Sequence, residues 1–241
     1  MYPTHRWQAF ANLTADEQHA LVALADTEIE RRAGEVIRTE GELVSGFYLQ
    51  LRGWVASSVM LGSGARLIQK VHLAGDMLGM TSMVLPRAAD TLTTLTDTTV
   101  AFVPFVKLRA IYAGFPRIAA LMTFAAQVER LALMDTLVVT GRASAKEQVA
   151  RLLLDLHARL TALGAVDHDA FDLPLTQEVI GDLTGLTAVH VNRKLRELRE
   201  DGVIEREGSR IHIVDLPALR ALSPIGPRRV QFEPAWLPPA L

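Results

Sequence analysis

The chain contains 241 residues, enough for one large domain or two of ordinary size. Apolar residues make up 49% of it and charged residues 22%, which is typical of a folded globular protein and excludes global disorder. The formal charge of −2 provides no basic field over the whole molecule, so a nucleic-acid site would have to be a local cluster of Lys and Arg. The absence of cysteine excludes disulfides, thiol nucleophiles and cysteine-bound zinc or iron–sulfur clusters.

Membrane and export signals are also missing from the sequence. No apolar run reaches the roughly 18 residues that a membrane span needs. Residues 1–10 lack the charged start and apolar core of a signal peptide. We therefore expect a cytoplasmic protein that makes no membrane contact.

The first half of the chain changes from a helical pattern to a strand pattern. Thr14, followed three residues later by Glu17, has the spacing of a capping box and predicts a helix over residues 13–24. No later segment of helical period interrupts the strand pattern, so we expect an antiparallel sandwich or roll rather than an α/β sheet. Short runs between turn glycines predict six strands, over residues 35–39, 47–51, 54–60, 67–73, 92–95 and 99–103.

A long helix is predicted over residues 117–141, because this segment has no Gly or Pro before Gly141. Its apolar residues form a narrow seam of three- and four-residue steps, typical of a helix that pairs with its own copy. Asp135 continues the same seam and argues against this interpretation; the alternative is an amphipathic helix packed on its own sheet. The residues assigned to the dimer helix are Ile118, Leu121, Ala125, Val128 and Ala132.

Beyond a further helix at residues 145–163 and an acidic loop at 165–173, two short helices are predicted close together. Thr176 can cap the first helix, Gly185 ends it, and Thr187 can cap the second. Two short helices joined by a glycine turn predict a helix-turn-helix.

The second of these helices carries the local basic cluster that DNA requires. Between residues 187 and 199 the single Glu197 is opposed by four cations, Arg193, Lys194, Arg196 and Arg199. Arg193 can pair with guanine, and Asn192 with adenine or a phosphate. The positions assigned to base reading are Ala188, Val189, Asn192 and Arg193. Those assigned to phosphate contact are Thr176, Gln177, Thr187, His190, Arg196 and Arg210.

Residues 203–214 follow this helix and predict a β-hairpin around residues 207–210. A helix-turn-helix followed by a hairpin is a winged helix, with Arg206 and Arg210 at the wing. Two alternatives stay open at this point. The charges could form an ordinary solvated helix face, or the winged helix could bind another protein.

Three stretches, in this order, resemble the CRP/FNR family of bacterial transcription regulators. They are Ala33-Gly34-Glu35-Val36-Ile37 with Glu40-Gly41-Glu42 and Phe47 to Val55, then His72 to Gly79, then Ile180 to Arg193. The resemblance covers about residues 10–222. It implies an α+β protein with a double-stranded β-helix (jelly-roll-like) sensor domain, a central dimerisation helix and a C-terminal winged helix-turn-helix. The corresponding boundaries are 1–116, 117–142 and 143–222, with a Pro-rich tail at 223–241.

The residues that bind cyclic AMP in members of this family are not all present in this chain. Cyclic-AMP-binding members have a Glu where Met80 stands, and Met cannot accept a ribose hydroxyl. They also have an Arg followed by Ser or Thr, whereas Arg87 here precedes Ala88. We therefore expect no gating by cyclic AMP. The candidate effector pocket is Gly79, Met80, Arg87 and Ala88, and the cofactor stays open.

The same resemblance implies two other cofactors, an iron–sulfur cluster and haem. Oxygen-sensing members hold an iron–sulfur cluster on cysteines that this chain lacks. Some relatives bind haem, for which the candidate ligands here are His72, Met77, Met80 and Met83. The alternative for His72 is an ordinary packed histidine at the end of a strand.

The base-reading positions also depart from the family, and only Arg193 matches. Other members have a Glu that reads cytosine where Val189 stands. Because Val can contact a thymine methyl but cannot accept from cytosine, we expect a different base pair at this point of the operator.

Enzyme classes find little support in the sequence. A cupin-like metal enzyme needs clustered histidines, and only His72 of the seven lies in the strand region. Neither a G-x-S-x-G nucleophile motif nor a phosphate-binding P-loop occurs. We therefore expect a protein that is not an enzyme.

The sequence thus predicts a homodimer that binds double-stranded DNA at a palindromic operator and contacts RNA polymerase. Its half-site centres would lie about 34 Å apart, and an effector in the β-roll would change the angle between the paired helices. The tail at 223–241 has five prolines and could be disordered or extended on the surface. Alternatively, Phe232 and Trp236 could pack across the DNA-binding domain or the dimer.

Overall fold

A computed structural model describes residues 3–25 and 27–240 of the chain. Met1 and Tyr2 of the predicted N-terminal segment, and Leu241 of the predicted tail, lie outside these residues. The chain forms two compact units, Met1–Gln127 with Val230–Leu241, and Val128–Arg229. None of the helices within the described ranges is long and apolar enough to cross a membrane.

The first unit opens with two helices, α1 (His5–Gln8) and α2 (Ala15–Val22). The predicted capping box starts α2. The Glu17 N–H donates to Thr14 Oγ1 at 3.2 Å, and the Thr14 N–H donates to Glu17 Oε2 at 2.9 Å. These two bonds satisfy backbone donors that a helix start leaves without partners, so the local sequence alone is sufficient to place this helix.

Eight antiparallel strands follow and form two four-stranded sheets, in the orders β1-β8-β3-β6 and β2-β7-β4-β5. Val55 and Leu92 from one sheet pack against Leu78 and Val100 from the other in a buried core. This confirms the predicted antiparallel roll. The strands are β1 (Glu28–Arg31), β2 (Val36–Arg38), β3 (Gly46–Arg52), β4 (Val55–Met60), β5 (Arg66–His72), β6 (Met77–Leu78), β7 (Thr91–Thr94) and β8 (Thr98–Pro104).

Five elements of the first unit were not predicted, the first of which is the short helix α1. Strand β1 reads Glu-Ile-Glu-Arg, and only its pairing with β8 reveals it as a strand. Two-residue β6 is followed by a 3₁₀ turn at Met80–Val84, and helix α3 (Phe105–Gly114) follows β8.

One continuous helix, α4 (Pro116–Arg142), follows α3 and matches the predicted long helix to within one residue. Ile118, Leu121 and Ala125 are buried in the first unit. Val128 is half-buried and Ala132 is exposed. The first three positions of the predicted dimer helix are therefore core residues of their own chain, because this face of α4 is covered by the unit that contains it.

The second unit has a helical core with a small sheet. Its helices are α5 (Ala145–Ala162), α6 (Gln177–Thr184), α7 (Ala188–Glu200) and α8 (Leu216–Ala221). Its strands are β9 (Ala170–Asp172), β10 (Ile204–Glu207) and β11 (Arg210–Ile213), in the order β10-β11-β9. Pairing of Glu207 with Arg210 confirms the predicted hairpin.

The segment predicted as an acidic loop at 165–173 is a loop only in part. Strand β9 pairs with β11, and the Phe171 ring is buried. Phe171 in β9 begins an alternation of buried residues that continues at Leu173 and Leu175 just beyond the strand, and this alternation is a sequence signal for extended chain.

Candidate nucleic-acid interface

The turn between α6 and α7 has the geometry that its caps predict. Thr176 Oγ1 accepts from the Val179 N–H at 3.2 Å, and Thr187 Oγ1 accepts from the His190 N–H at 3.3 Å. Gly185 ends α6 in the left-handed conformation, with φ of 72°. These contacts confirm both caps and the glycine turn.

Gly181 is a second glycine that this turn requires, and sequence reasoning missed it. A Cβ on Gly181 would lie 2.5 Å from the Leu186 carbonyl oxygen. The Leu186 N–H donates to the Gly181 carbonyl at 3.1 Å, which closes the turn on α6. The chain can fold back this tightly only because residue 181 has no side chain.

Helix α7 has one buried face and one face exposed to solvent. Val191, Leu195 and Leu198 are buried and anchor the helix on its unit. At the N-terminal half of the opposite side, Asn192 and Arg193 are exposed. Val189 is 78% exposed, although an apolar side chain gains nothing from contact with water. Ala188 is half-buried beside them. The four predicted base-reading positions thus lie near one another at the start of α7.

The cations of α7 lie next to carboxylates of the same helix. Lys194 Nζ is 2.7 Å from Glu197 Oε1, and Arg196 Nε is 3.5 Å from Glu200 Oε1. Arg193 Nε is 3.9 Å from Glu197 Oε1. The hydrogen bond from Lys194 holds the pKa of Glu197 below its usual value, so this carboxylate stays charged. Because the helix runs to Glu200, its net charge is +2 and not the +3 counted to residue 199.

The predicted phosphate contacts fall into two groups. Thr176, Thr187 and His190 are exposed at the helix starts, where unpaired N–H groups and the helix dipole favour anions. Thr187 Oγ1 also lies 3.2 Å from His190 Nδ1. Gln177 is half-buried in the first turn of α6, and Arg196 is exposed on α7.

Arg210 differs from the other predicted phosphate contacts because two carboxylates lie close to it. Its guanidinium is 3.9 Å from Asp167 and 3.9 Å from Asp172. Arg206 Nε donates to the Gly208 carbonyl at 3.1 Å. A depression of about 540 Å³ beside these strands is lined by acidic and basic groups together, including Asp167, Arg199 and Glu207. The wing is therefore electrostatically mixed, in contrast to the start of α7.

In the first unit, the four residues of the predicted effector pocket belong to two segments of the chain, 79–80 and 87–88. Gly79 adopts a left-handed conformation with φ of 71°, and Met80 begins the 3₁₀ turn. The Arg87 guanidinium instead donates to the Gly41 carbonyl at 2.8 Å, on the exposed surface. The Ala88 N–H donates to the Glu42 carbonyl at 2.8 Å. Arg87 and Ala88 thus hold the loop at Gly41, and the N–H of the next residue, Ala89, donates to Ser82 Oγ of the Gly79 turn at 3.2 Å.

Sequence reasoning missed a buried ion pair, Arg38 with Asp90, behind the Gly79 turn. Arg38 contacts Asp90 directly, and its Nη2 also lies 3.3 Å from Ser82 Oγ. The guanidinium occupies the space that a Cβ on Gly79 would need. Burial raises the pKa of Asp90 above its ordinary value, and the charge of Arg38 offsets only part of that rise.

A cavity of about 250 Å³ opens beside this ion pair. Its lining includes Arg38, Glu42, Tyr48 and Phe102, and none of the four predicted pocket residues is among them. Burial raises the pKa of Tyr48, so its hydroxyl stays protonated. The cavity therefore offers an aromatic wall, one phenol and charges of both signs.

His72, the candidate haem ligand, is buried. Its Nε2 lies 3.2 Å from Ser57 Oγ, and its Nδ1 lies 3.6 Å from Asp76. Both ring nitrogens therefore face groups of the protein. In residues 3–25 and 27–240, no three His, Asp or Glu side chains are grouped so that they could hold a metal ion.

Two family models match the chain, the cyclic nucleotide-binding domain over residues 28–114 and the Crp-like helix-turn-helix domain over residues 147–222. The nitrogen fixation regulation protein FixK of Bradyrhizobium diazoefficiens is 30% identical over 192 residues, which is 79% of each chain. The transcriptional activator protein FnrA of Stutzerimonas stutzeri is 24% identical over 80% of this chain and 78% of its own.

Among solved structures, FixK2 from Bradyrhizobium japonicum is 28% identical and superimposes with a TM-score of 0.74, over 83% of this chain and 98% of that one. These relatives are transcription regulators with a helix-turn-helix, and regulators of this kind bind DNA and act as dimers. The chain belongs to the CRP/FNR family of bacterial transcription regulators.

Proposed function

We propose that the protein is a homodimeric regulator that reads a palindromic operator with the start of α7 and is not gated by cyclic AMP. The observation that carries this proposal is the exposed group at Val189, Asn192 and Arg193, held at the start of a capped helix above a buried anchor. Such a group can enter the major groove and reach base edges. The domain boundaries at 116, 142 and 222 are part of the same proposal.

We assign Ala188, Val189, Asn192 and Arg193 to base reading. Arg193 can leave Glu197, 3.9 Å away, for the O6 and N7 atoms of guanine, because that carboxylate keeps Lys194 at 2.7 Å as its partner. Thr176, Gln177, Thr187, His190 and Arg196 would contact phosphates around it. Arg210 would first have to leave Asp167 and Asp172, so we expect it to contribute less than Arg196.

The dimer contact is assigned to a face of α4 other than the one expected from sequence. Five exposed residues at three- and four-residue steps form a new seam, Thr123, Ala126, Arg130, Leu133 and Leu137. Leu133 is 51% exposed and Leu137 is 73% exposed. This spacing is that of a two-helix coiled coil, and a second copy of α4 would cover both leucines.

The absence of cyclic-AMP gating is supported by two features of the first unit. Met80 offers no carboxylate for a ribose hydroxyl, and the Arg38 charge already faces Asp90. An anionic group entering behind Gly79 would have to displace that carboxylate. Contact with RNA polymerase is proposed because a transcription regulator acts through the polymerase, and we assign no residue to it.

The experiment compares Arg193→Ala with Arg196→Ala, two exposed arginines on one helix. Binding is measured at fixed salt to the best operator and to variants with one changed base pair. Arg193→Ala should lose about 1–3 kcal/mol of discrimination at one position of each half-site. Arg196→Ala should weaken all sequences alike. If sequence preference is unchanged in Arg193→Ala, the assignment of α7 to base reading is wrong.

A further inference from the structure

The C-terminal tail lies beyond both family models, which end at residues 114 and 222, yet the structure places it in close contact with α4. Its contacts form two groups. Arg228 pairs with α4 in the second unit, and residues 233–236 pack on α4 in the first unit. Most of the tail's side chains are exposed, so burial of its own apolar groups explains few of these contacts.

The first group is a double hydrogen bond between Arg228 and Asp135. Arg228 Nε donates to Asp135 Oδ2 at 2.9 Å, and Nη2 donates to Oδ1 at 2.5 Å. Asp135 is 3% exposed, and its other cation, Arg151, is 3.8 Å away. The tail thus supplies the close partner of a buried carboxylate on α4, an arrangement stronger than an ordinary surface ion pair. It also explains why an acid occurs on this face.

The second group is centred on Glu233. Its N–H donates to the Phe10 carbonyl at 2.8 Å, and its Oε1 accepts from Arg117 Nη2 at 3.2 Å and the Asn12 N–H at 3.0 Å. Arg117 is buried on α4 and also pairs with Glu17 at 2.9 Å. Glu233 has a φ of 46°, a conformation that a residue with a side chain keeps only where its surroundings hold it.

An aromatic row continues this group. The Trp236 ring lies 5.6 Å from the Phe124 ring of α4, which lies 5.0 Å from the Phe10 ring. These separations are in the range where aromatic pairs attract.

All three contact points on α4 lie on one face of the helix. Arg117, Phe124 and Asp135 are separated by 7 and 11 residues, which are close to two and three turns. Leu133 and Leu137 lie two residues before and two after Asp135, about 200° around the helix. The tail therefore holds one side of α4 and leaves the proposed seam on the other side free.

We propose that residues 228–236 are an intramolecular strap that holds α4 in the position its dimer contact requires. The strap acts through Arg228, Glu233 and Trp236, and its loss weakens dimerisation and, through it, operator binding. This inference rests on the proposed homodimer.

The test uses single variants of the full chain, so that no truncation can unfold it. Arg228→Ala is matched by Arg229→Ala, which removes the same charge from the neighbouring exposed residue. Trp236→Ala is matched by Phe232→Ala, which removes an exposed aromatic ring from the same tail. The readouts are the dimer dissociation constant from sedimentation at a series of dilutions, hydrogen exchange of the α4 amides, and operator affinity.

Arg228→Ala and Trp236→Ala should each raise the dimer dissociation constant about tenfold and speed exchange in α4, whereas the controls should change it less than about twofold. At concentrations far above that constant, Arg228→Ala should regain wild-type operator affinity and the same base preference, because α7 is unchanged. If Arg228→Ala matches Arg229→Ala in both dissociation and exchange, the strap is refuted while the homodimer stands. A wild-type chain that stays monomeric at every dilution refutes the homodimer and the strap together.

Discussion

Arg38 and Asp90 form a buried ion pair behind the turn at Gly79, between residues 52 positions apart in the chain. The pair lies against Gly79, one of the four residues of the predicted effector pocket. Both charges belong to the protein itself, and Ser82 adds a hydrogen bond to the guanidinium. Each charge of this pair therefore has its counter-charge within the protein.

Removing one partner of this ion pair should lower the free energy of unfolding. Asp90→Ala leaves the Arg38 charge buried without its counter-ion and should lower the free energy of unfolding by about 3 kcal/mol. Urea unfolding followed by tryptophan fluorescence reports on the correct unit, because Trp7, Trp54 and Trp236 all lie in the first one. Arg87→Ala, at the exposed bond to Gly41, should cost less than about 0.5 kcal/mol. Equal losses in the two variants would contradict the role assigned to the pair.

The two glycines of the helix-turn-helix should respond differently to substitution. Gly181→Ala places a Cβ against the Leu186 carbonyl and should cost about 1–3 kcal/mol, because backbone must move. Gly185→Asn meets open space and a left-handed φ that Asn tolerates, so it should cost less than about 1 kcal/mol. Thermal unfolding of the two variants, followed by circular dichroism, makes the comparison. A more stable Gly181→Ala would show that the turn is looser than described.

Val189 should determine one base pair of each half-site. Val189→Glu introduces a carboxylate that can accept from the cytosine amino group, so the preferred base at one position should change to the pair containing that cytosine. Selection from a randomised operator library measures the change. Val189→Ala is the control and should weaken the wild-type preference without creating a new one. An unchanged preference in Val189→Glu would place residue 189 outside the groove.

The proposed dimer seam on α4 can be tested by placing a glutamate either on the seam or beside it. Leu137→Glu puts a carboxylate where the partner helix would bury a leucine and should raise the dimer dissociation constant about a hundredfold. Thr136→Glu adds the same charge at an exposed neighbour that points about 100° away, and should have little effect. Sedimentation at a series of dilutions measures both. Equal behaviour of the two variants would exclude this seam.

The Asp135 carboxylate should make the free energy of unfolding depend on pH. Hydrogen bonds from Arg228 lower the pKa of Asp135 in the folded chain below its ordinary value of 3.8. A lowered folded pKa means that this stabilisation is fully present above the unfolded value and is lost as the pH falls through the folded value. The stability advantage of wild type over Arg228→Gln should therefore be constant near neutrality and shrink below about pH 4. The control Arg229→Gln should show no such dependence on pH. Urea unfolding at several pH values makes the measurement. A difference between wild type and Arg228→Gln that stays constant down to low pH would contradict the role assigned to the pair.

Local patterns in the sequence predicted much of this fold. The capping box at Thr14, the caps at Thr176 and Thr187, and the glycine turn at Gly185 each involve residues within a few positions of one another. Their hydrogen bonds follow from neighbouring side chains and need no tertiary partner. The same holds for the hairpin between Glu207 and Arg210.

Several of the features that were missed depend on residues far apart in the chain. Strand β1 becomes a strand only beside β8. Arg228 and Asp135 are 93 positions apart. The sequence therefore does not show why an acidic residue continues the apolar seam of α4. The exposed and buried faces of α4 could not be separated by spacing alone, because apolar residues occur on both of them.

The most direct test of the central claim is selection of genomic fragments by the purified protein at fixed physiological salt, with no ligand added. The account predicts tight selection of a palindrome whose half-site centres lie about one helical turn apart, with protection of both halves. Binding that ignores sequence and falls steeply with salt would come from phosphate contacts alone, and would contradict base reading by α7 in the ligand-free dimer.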